Sequence, residues 1–186
     1  KIIHALAKVI RDTEGKAVAM QGTVQDITER KQAEDTLKKL SLAMEQSPNS
    51  IVITDLYANI EYVNQAFIKE TGYSFDEAVG MNPRILSSGK NWKAVYEEMW
   101  GCLHRGQAWK GELINRRKDG SEYIESALIS PVQQADGRIT HYLAIKENIT
   151  RRKNSELKIE RLSRIYLLLS RVNEAIVRAR GTTELF

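Results

Sequence analysis

The chain carries part of itself twice. Ala5-Leu6, Gly15-Lys16 and the run Asp26-Ile-Thr-Glu-Arg-Lys31 fall onto Ala127-Leu128, Gly137-Arg138 and Asn148-Ile-Thr-Arg-Arg-Lys153 at one constant offset of 122 positions, without a gap. A repeat of that length is too long for a solenoid and suits tandem domains of ordinary size. The first copy matches only the end of the second. Residues 1–27 are therefore expected to be the last hairpin of a preceding domain whose front half lies upstream of Lys1.

Each copy runs into a stretch of helical periodicity. Ala33, Leu37, Leu40 and Met44 mark a connector over residues 28–46, with Asp26 and Glu29 resembling a capping box at its start. Leu162, Ile165, Leu169, Val172 and Ile176 mark a second over 151–186, set between charged residues such as Glu156, Lys158, Glu160 and Arg161. Two readings of these amphipathic helices stay open: packing on their own domain, or a parallel coiled coil joining two protomers. The homodimer is the preferred one.

Between the connectors, residues 47–150 read as one complete domain. Ile51–Asp55 and Asn59–Asn64 are short β-rich runs around a turn at Leu56-Tyr-Ala-Asn. Gln65 to Thr71 reads as a helix stopped by Gly72, and Ser74 with Glu77 caps a second. Trp92 to Leu103 follows as a longer helix with Trp92, Val95, Met99 and Leu103 on one face. Trp109–Lys118 and Ser121–Val132 flank Asp119-Gly120, a two-residue hairpin signal of type I′, and Asp136-Gly137 turns the chain into Arg138–Glu147. Two strands, several helices and three strands make an α+β domain with an antiparallel sheet and a helical cap on one face.

These residues resemble a PAS domain of the PAS/PAC type. The carrying motifs are Asp55 through Tyr62-Val63-Asn64-Gln-Ala-Phe67, Thr71-Gly-Tyr-Ser74, Gly80-Met-Asn-Pro-Arg-Ile-Leu-Ser-Ser-Gly89, Trp109-Lys-Gly-Glu112, Asn115-Arg-Arg-Lys-Asp-Gly120 and the closing Asn-Ile-Thr. Residues 3–28 look like the tail of another PAS domain, and 162–186 are similar to the lead-in helix of a GAF domain. The resemblance implies a five-stranded antiparallel sheet, frequent dimerisation, and helical connectors that report to an output domain such as a histidine kinase or a cyclic-di-GMP enzyme.

The segment Asn82–Lys90, with Trp109 and Asn115, is similar to flavin-binding PAS domains, including the redox-sensing FAD type. FAD or FMN needs an apolar slot for its ring, amide partners for its pyrimidine edge and a cation near its phosphates. Asn82, Asn115 and Arg84 have that chemistry, Trp109 offers a ring to stack on, and Lys90 is a further cation. Photoactive flavin PAS domains carry a cysteine where this chain has Pro83, so light-driven thiol adduct formation is not expected. Glu125 and Lys146 fall where those domains place an asparagine and a glutamine, which makes them candidate cofactor-binding residues. The opposing reading pairs Glu125 with Lys146 across adjacent strands, filling the site with a salt bridge and leaving no ligand. The functional choice is thus a ligand or redox sensor against a ligand-free dimerising relay. In either case the final strand, ending at Asn148, drives the helix that begins near Thr150, so Asn148 and Thr150 are the expected relay residues.

Other classes are disfavoured. The 28 basic and 24 acidic residues are intermixed along the chain, so the net charge of +4 marks no nucleic-acid surface. No apolar run is long enough to span a bilayer, and Cys102 stands alone, so a cytoplasmic setting without direct membrane contact is expected. No nucleophile elbow, phosphate loop or metal-ligand spacing is present, and the chain is not expected to be an enzyme.

Overall fold

The computed structural model describes residues 1–181, with side chains to Asn173, so the Glu184-Leu185-Phe186 end of the GAF-like stretch lies outside the described residues. It divides into two compact units, Lys1–Ser47 and Pro48 onward.

The first unit is a hairpin, β1 (Ile3–Arg11) and β2 (Ala17–Asp26), followed by helix α1 (Thr28–Glu45). Every residue of both strands is exposed, including Leu6, Met20 and Val24. The expected capping box at α1 does not form. Asp26 instead closes a tighter turn, its Oδ1 accepting from Thr28 N at 3.1 Å and from the Thr28 hydroxyl at 2.6 Å, and Ile27 occupies the cap position with no side-chain bond.

The second unit holds β3 (Ser50–Thr54), β4 (Ile60–Val63), α2 (Gln65–Thr71), α3 (Phe75–Ala78), a 3₁₀ turn (Pro83–Leu86), α4 (Lys93–His104), β5 (Trp109–Arg116), β6 (Glu122–Gln133), β7 (Ile139–Asn148) and α5 (Thr150–Gly181). The five strands form one antiparallel sheet in the order β4-β3-β7-β6-β5. This is the α+β arrangement expected from the sequence. Gly72 ends α2 in the left-handed region, and Ser74 with Glu77 forms a full capping box on α3. Trp92 departs from expectation. It occupies the cap position before α4 and is 81% exposed, so the buried face of the helix is carried by Met99 and Leu103.

The core has two parts. Val52, Ile60, Val63, Phe67 and Leu86 pack where β3 and β4 meet α2 and the 3₁₀ turn, while Met99, Leu103, Trp109, Leu113 and Tyr142 pack between α4 and the other half of the sheet. Phe67 is fully buried, and burial of a side chain that size contributes roughly 1.5–3 kcal/mol. Trp109 lies across Gly111, where an added Cβ would stand 2.3 Å from its ring, so the absence of a side chain at 111 gives the indole its place.

All four hairpin turns close alike. The N–H groups of Asp12, Asp55, Arg117 and Gln134 each bond to the carbonyl four residues on, and the residue before that carbonyl is Gly15, Ala58, Gly120 or Gly137, all with positive φ. The Asp119-Gly120 turn is therefore not the expected type I′, which needs two left-handed residues; only Gly120 takes that conformation. Ala58 (φ 61°) is the one non-glycine among the described residues that does so.

The repeat seen in the sequence is also a repeat of register. Ile3 faces Asp26 as Glu125 faces Asn148, and both hairpins carry an irregularity at the same place, after Ile10 in one and after Val132 in the other.

Candidate functional site

The inner face of the sheet alternates toward the helical cap: Trp109, Gly111, Leu113 and Asn115 on β5, Tyr123, Glu125, Ala127 and Ile129 on β6, Tyr142, Ala144 and Lys146 on β7, and Ser50, Val52 and Thr54 on β3. Between this face, α4 and the 3₁₀ turn lies a cavity of about 530 Å³. Its walls are mainly apolar and aromatic, from Val52, Leu113, Ile129 and Ala144 on the strands, Tyr142 on β7, and Tyr96, Met99, Trp100 and Leu103 on α4. Trp100 meets Tyr142 edge to face, with centroids 5.7 Å apart.

The predicted residues distribute unevenly around this space. Asn82, Arg84, Asn115 and Lys146 line it. Trp109 does not; it is buried in the core beneath, and Trp100, Tyr96 and Tyr142 supply the aromatic walls instead. Glu125 is buried but is not part of the lining, and Lys90 is engaged elsewhere, 2.6 Å from Glu122. Ser87 lines the cavity and pairs through its backbone with Asn115.

Lys146 and Glu125 do form the expected ion pair, with Nζ 2.8 Å from Oε1 and only 7% and 2% of the side chains exposed. The pair does not fill the site, because the cavity remains beside it. Burying both charges is tolerated because each is the other's counter-ion; either alone carries a penalty of several kcal/mol. The contact sets opposite charges against each other at charge-assisted hydrogen-bond distance. The buried hydroxyl of Ser50 lacks a hydrogen-bond partner among the described residues. Burial, reinforced by the Glu125 carboxylate, pushes the Tyr123 phenol well above its ordinary pKa, so it stays a neutral donor.

The lower end of β7 leads straight into α5. Asn148 Oδ1 accepts from Thr150 N at 2.9 Å, Thr150 Oγ1 accepts from Ile124 N at 2.8 Å, and Ile149 N donates to Ile124 O at 2.9 Å. Asn148 Nδ2 also donates to Glu70 Oε1 at 2.7 Å, and that same oxygen accepts from Arg117. Arg117 Nε donates to the Glu70 carbonyl at 2.8 Å, and its guanidinium stands 4.7 Å from the centre of the Tyr123 ring. Sequence reasoning missed Glu70 and Arg117, because 47 positions separate them and only the fold brings them together. Beyond the joint, α5 leaves Leu162, Ile165, Leu169 and Val172 exposed, so its apolar stripe is not packed on this domain.

Comparison with known proteins agrees with this architecture. The family model described as PAS domain matches residues 48–151. The nitrogen fixation regulatory protein of Klebsiella oxytoca is 42% identical over 107 residues, which cover 58% of this chain and 22% of that protein. The crystal structure of a PAS domain from Colwellia psychrerythraea superposes with a TM-score of 0.59 at 25% identity, covering 63% of this chain and 99% of that one. A light-oxygen-voltage domain studied with a flavin analogue gives a TM-score of 0.56 at 27% identity over 69% of this chain and 96% of the other. The chain spans about a fifth of the length of the curated relatives it matches. With more than half of its residues inside the family match, the chain belongs to the PAS domain family.

Proposed function

We propose that this chain is a sensory module in which a small ligand bound in the cavity controls the helix α5, and that the ligand is a flavin, FMN or FAD. The observation that carries this reading is continuity: β7 supplies Tyr142, Ala144 and Lys146 to the cavity and runs without a break through Asn148 and Thr150 into α5. A change at the cavity wall is thereby a change in the strand that seats the helix.

The residues fit a flavin in kind. Leu113, Ile129 and Ala144 with Trp100 and Tyr142 offer a slot for a flat ring, Asn115 and Asn82 offer amide partners, and Lys146 and Arg84 offer cations for its carbonyl edge and phosphate. A bound flavin would supply redox chemistry. The chain's own part is to hold the ring and register its charge. Lys146 responds because its ammonium is buried beside both Glu125 and the ligand space, and Asn148, latched to Glu70, turns movement of β7 into movement of α5. The exposed stripe on α5 supports a parallel coil with a second copy, through which the module would act on an output domain such as a histidine kinase or a cyclic-di-GMP enzyme. The hairpin β1–β2 supports an origin in a preceding PAS domain, since its register reproduces that of β6–β7.

An absorption spectrum of the purified protein, with the supernatant analysed after denaturation, tests the ligand. A flavin band with FMN or FAD released is expected. A blank spectrum that persists after incubation with either flavin would reject the flavin, leaving a colourless ligand or the ligand-free relay.

A further inference from the structure

The charge around the cavity is one-sided. Among the described residues Lys146 and Arg84 are the only charged ones of the lining, both are cations, and no carboxylate takes part in it. Glu125, the counter-ion of Lys146, sits outside the lining and is 2% exposed. An ammonium has three donors and no acceptor, and the Lys146 ammonium meets one carboxylate oxygen, Glu125 Oε1 at 2.8 Å, which leaves donors for a second partner. A ligand entering the cavity thus meets a desolvated cation with donors to spare, while the balancing anion stays out of reach. In an environment stripped of water such a group favours a negative charge or a strongly polarised oxygen over a neutral group of the same shape.

We infer that Lys146 makes this an anion-selecting cavity: it takes flat, partly aromatic ligands that place a carboxylate, an enolate-like oxygen or a comparable anionic edge against the ammonium. The inference rests on the reading of the cavity as a ligand site, and it does not depend on that ligand being a flavin. Glu125 is a positioning residue here. It holds Lys146 in place through the contact at 2.8 Å, and it moderates how strongly the cavity attracts an anion.

Two probes of the same shape separate charge from fit: 1-naphthoate and its neutral amide, 1-naphthamide, each titrated calorimetrically into the full chain. The carboxylate is expected to bind about tenfold or more tightly than the amide, the scale of one charge-assisted hydrogen bond. Lys146→Met should reduce that preference toward parity by weakening the carboxylate more than the amide, whereas Glu125→Gln should increase it. A merely structural pair would weaken both probes alike in both variants. If Lys146→Met does not fold, the double variant Glu125→Ile with Lys146→Val removes both charges together and should show the same fall in preference. Equal affinity for the two probes in the unaltered protein would overturn the inference and leave the ligand site standing. Binding of neither probe would also overturn the inference, and the ligand site is then decided by the flavin spectrum.

Discussion

The two hairpins, β1–β2 and β6–β7, share a register, an irregularity and a joint, yet they carry different side chains. At the joint even the hydrogen bonds agree: Thr28 accepts from Ile2 N at 2.7 Å as Thr150 accepts from Ile124 N at 2.8 Å. The inner faces do not agree. Where β6 and β7 carry Glu125, Ile129, Tyr142 and Lys146, the corresponding positions 122 residues earlier hold Ile3, Ala7, Met20 and Val24. The strand pairing and its exit into a helix are generic features of the motif. The chemistry of the cavity is written only in the side chains that face it, and in the second copy those include a buried ion pair.

The strongest way to break this comparison is to unbalance that pair. Lys146→Met or Glu125→Ala alone should destabilise the second unit by about 3–5 kcal/mol, because one buried charge is left without its counter-ion. Replacing both with the residues of the first copy, Glu125→Ile and Lys146→Val, should instead be neutral or even stabilising by about 1–4 kcal/mol. Urea unfolding of the three variants checks this, and a loss in the double variant equal to the sum of the two single losses would mean that the pair is not coupled. Next in size, Gly111→Ala should cost about 1–3 kcal/mol by pushing the Trp109 ring off its seat, read as a lower urea midpoint.

A smaller effect sharpens the likeness of the turns. Gly137→Ala should lower stability by about 1 kcal/mol, since only glycine takes the left-handed conformation without strain. Ala58→Gly relieves the same strain but loses a buried methyl, so thermal unfolding should show a change close to zero. The last concerns the tie between the cap and the β5–β6 turn. Hydrogen bonding from Lys118, with help from Ser74, pulls the Glu77 pKa down to about 2. The sign follows from a depressed carboxylate: the link is present at neutral pH and is lost only as the pH falls from the ordinary carboxylate range toward about 2. Carboxyl NMR should place the Glu77 midpoint there, and Lys118→Met should return it toward the ordinary range.

Much of this fold was legible in the sequence, for local reasons. Gly72, the Ser74–Glu77 box and the glycine turns act within a few residues, and the repeat marks the joint at Asn148–Thr150. What escaped depended on distance. Trp92 has the spacing of the buried face of α4 but stands at the cap, where the chain has not yet entered the helix. Trp109 has the chemistry of a stacking platform, but its place over Gly111 puts it beneath the cavity, and which face of α4 meets the sheet makes Trp100 the wall. Glu125 and Lys146 were paired correctly from strand logic, but whether the pair fills the cavity or borders it is a matter of packing that periodicity does not encode.

On the proposed reading the cavity lined by β7 speaks to α5 through the Asn148–Thr150 joint. Amide hydrogen exchange across Asn148–Lys153 and across Asp26–Lys31, measured with and without saturating 1-naphthoate, tests it on two segments of matching local structure. A ligand-dependent change at Asn148–Lys153 with none at Asp26–Lys31 is predicted. Protection confined to the residues around Lys146, with both joints unchanged, would contradict it.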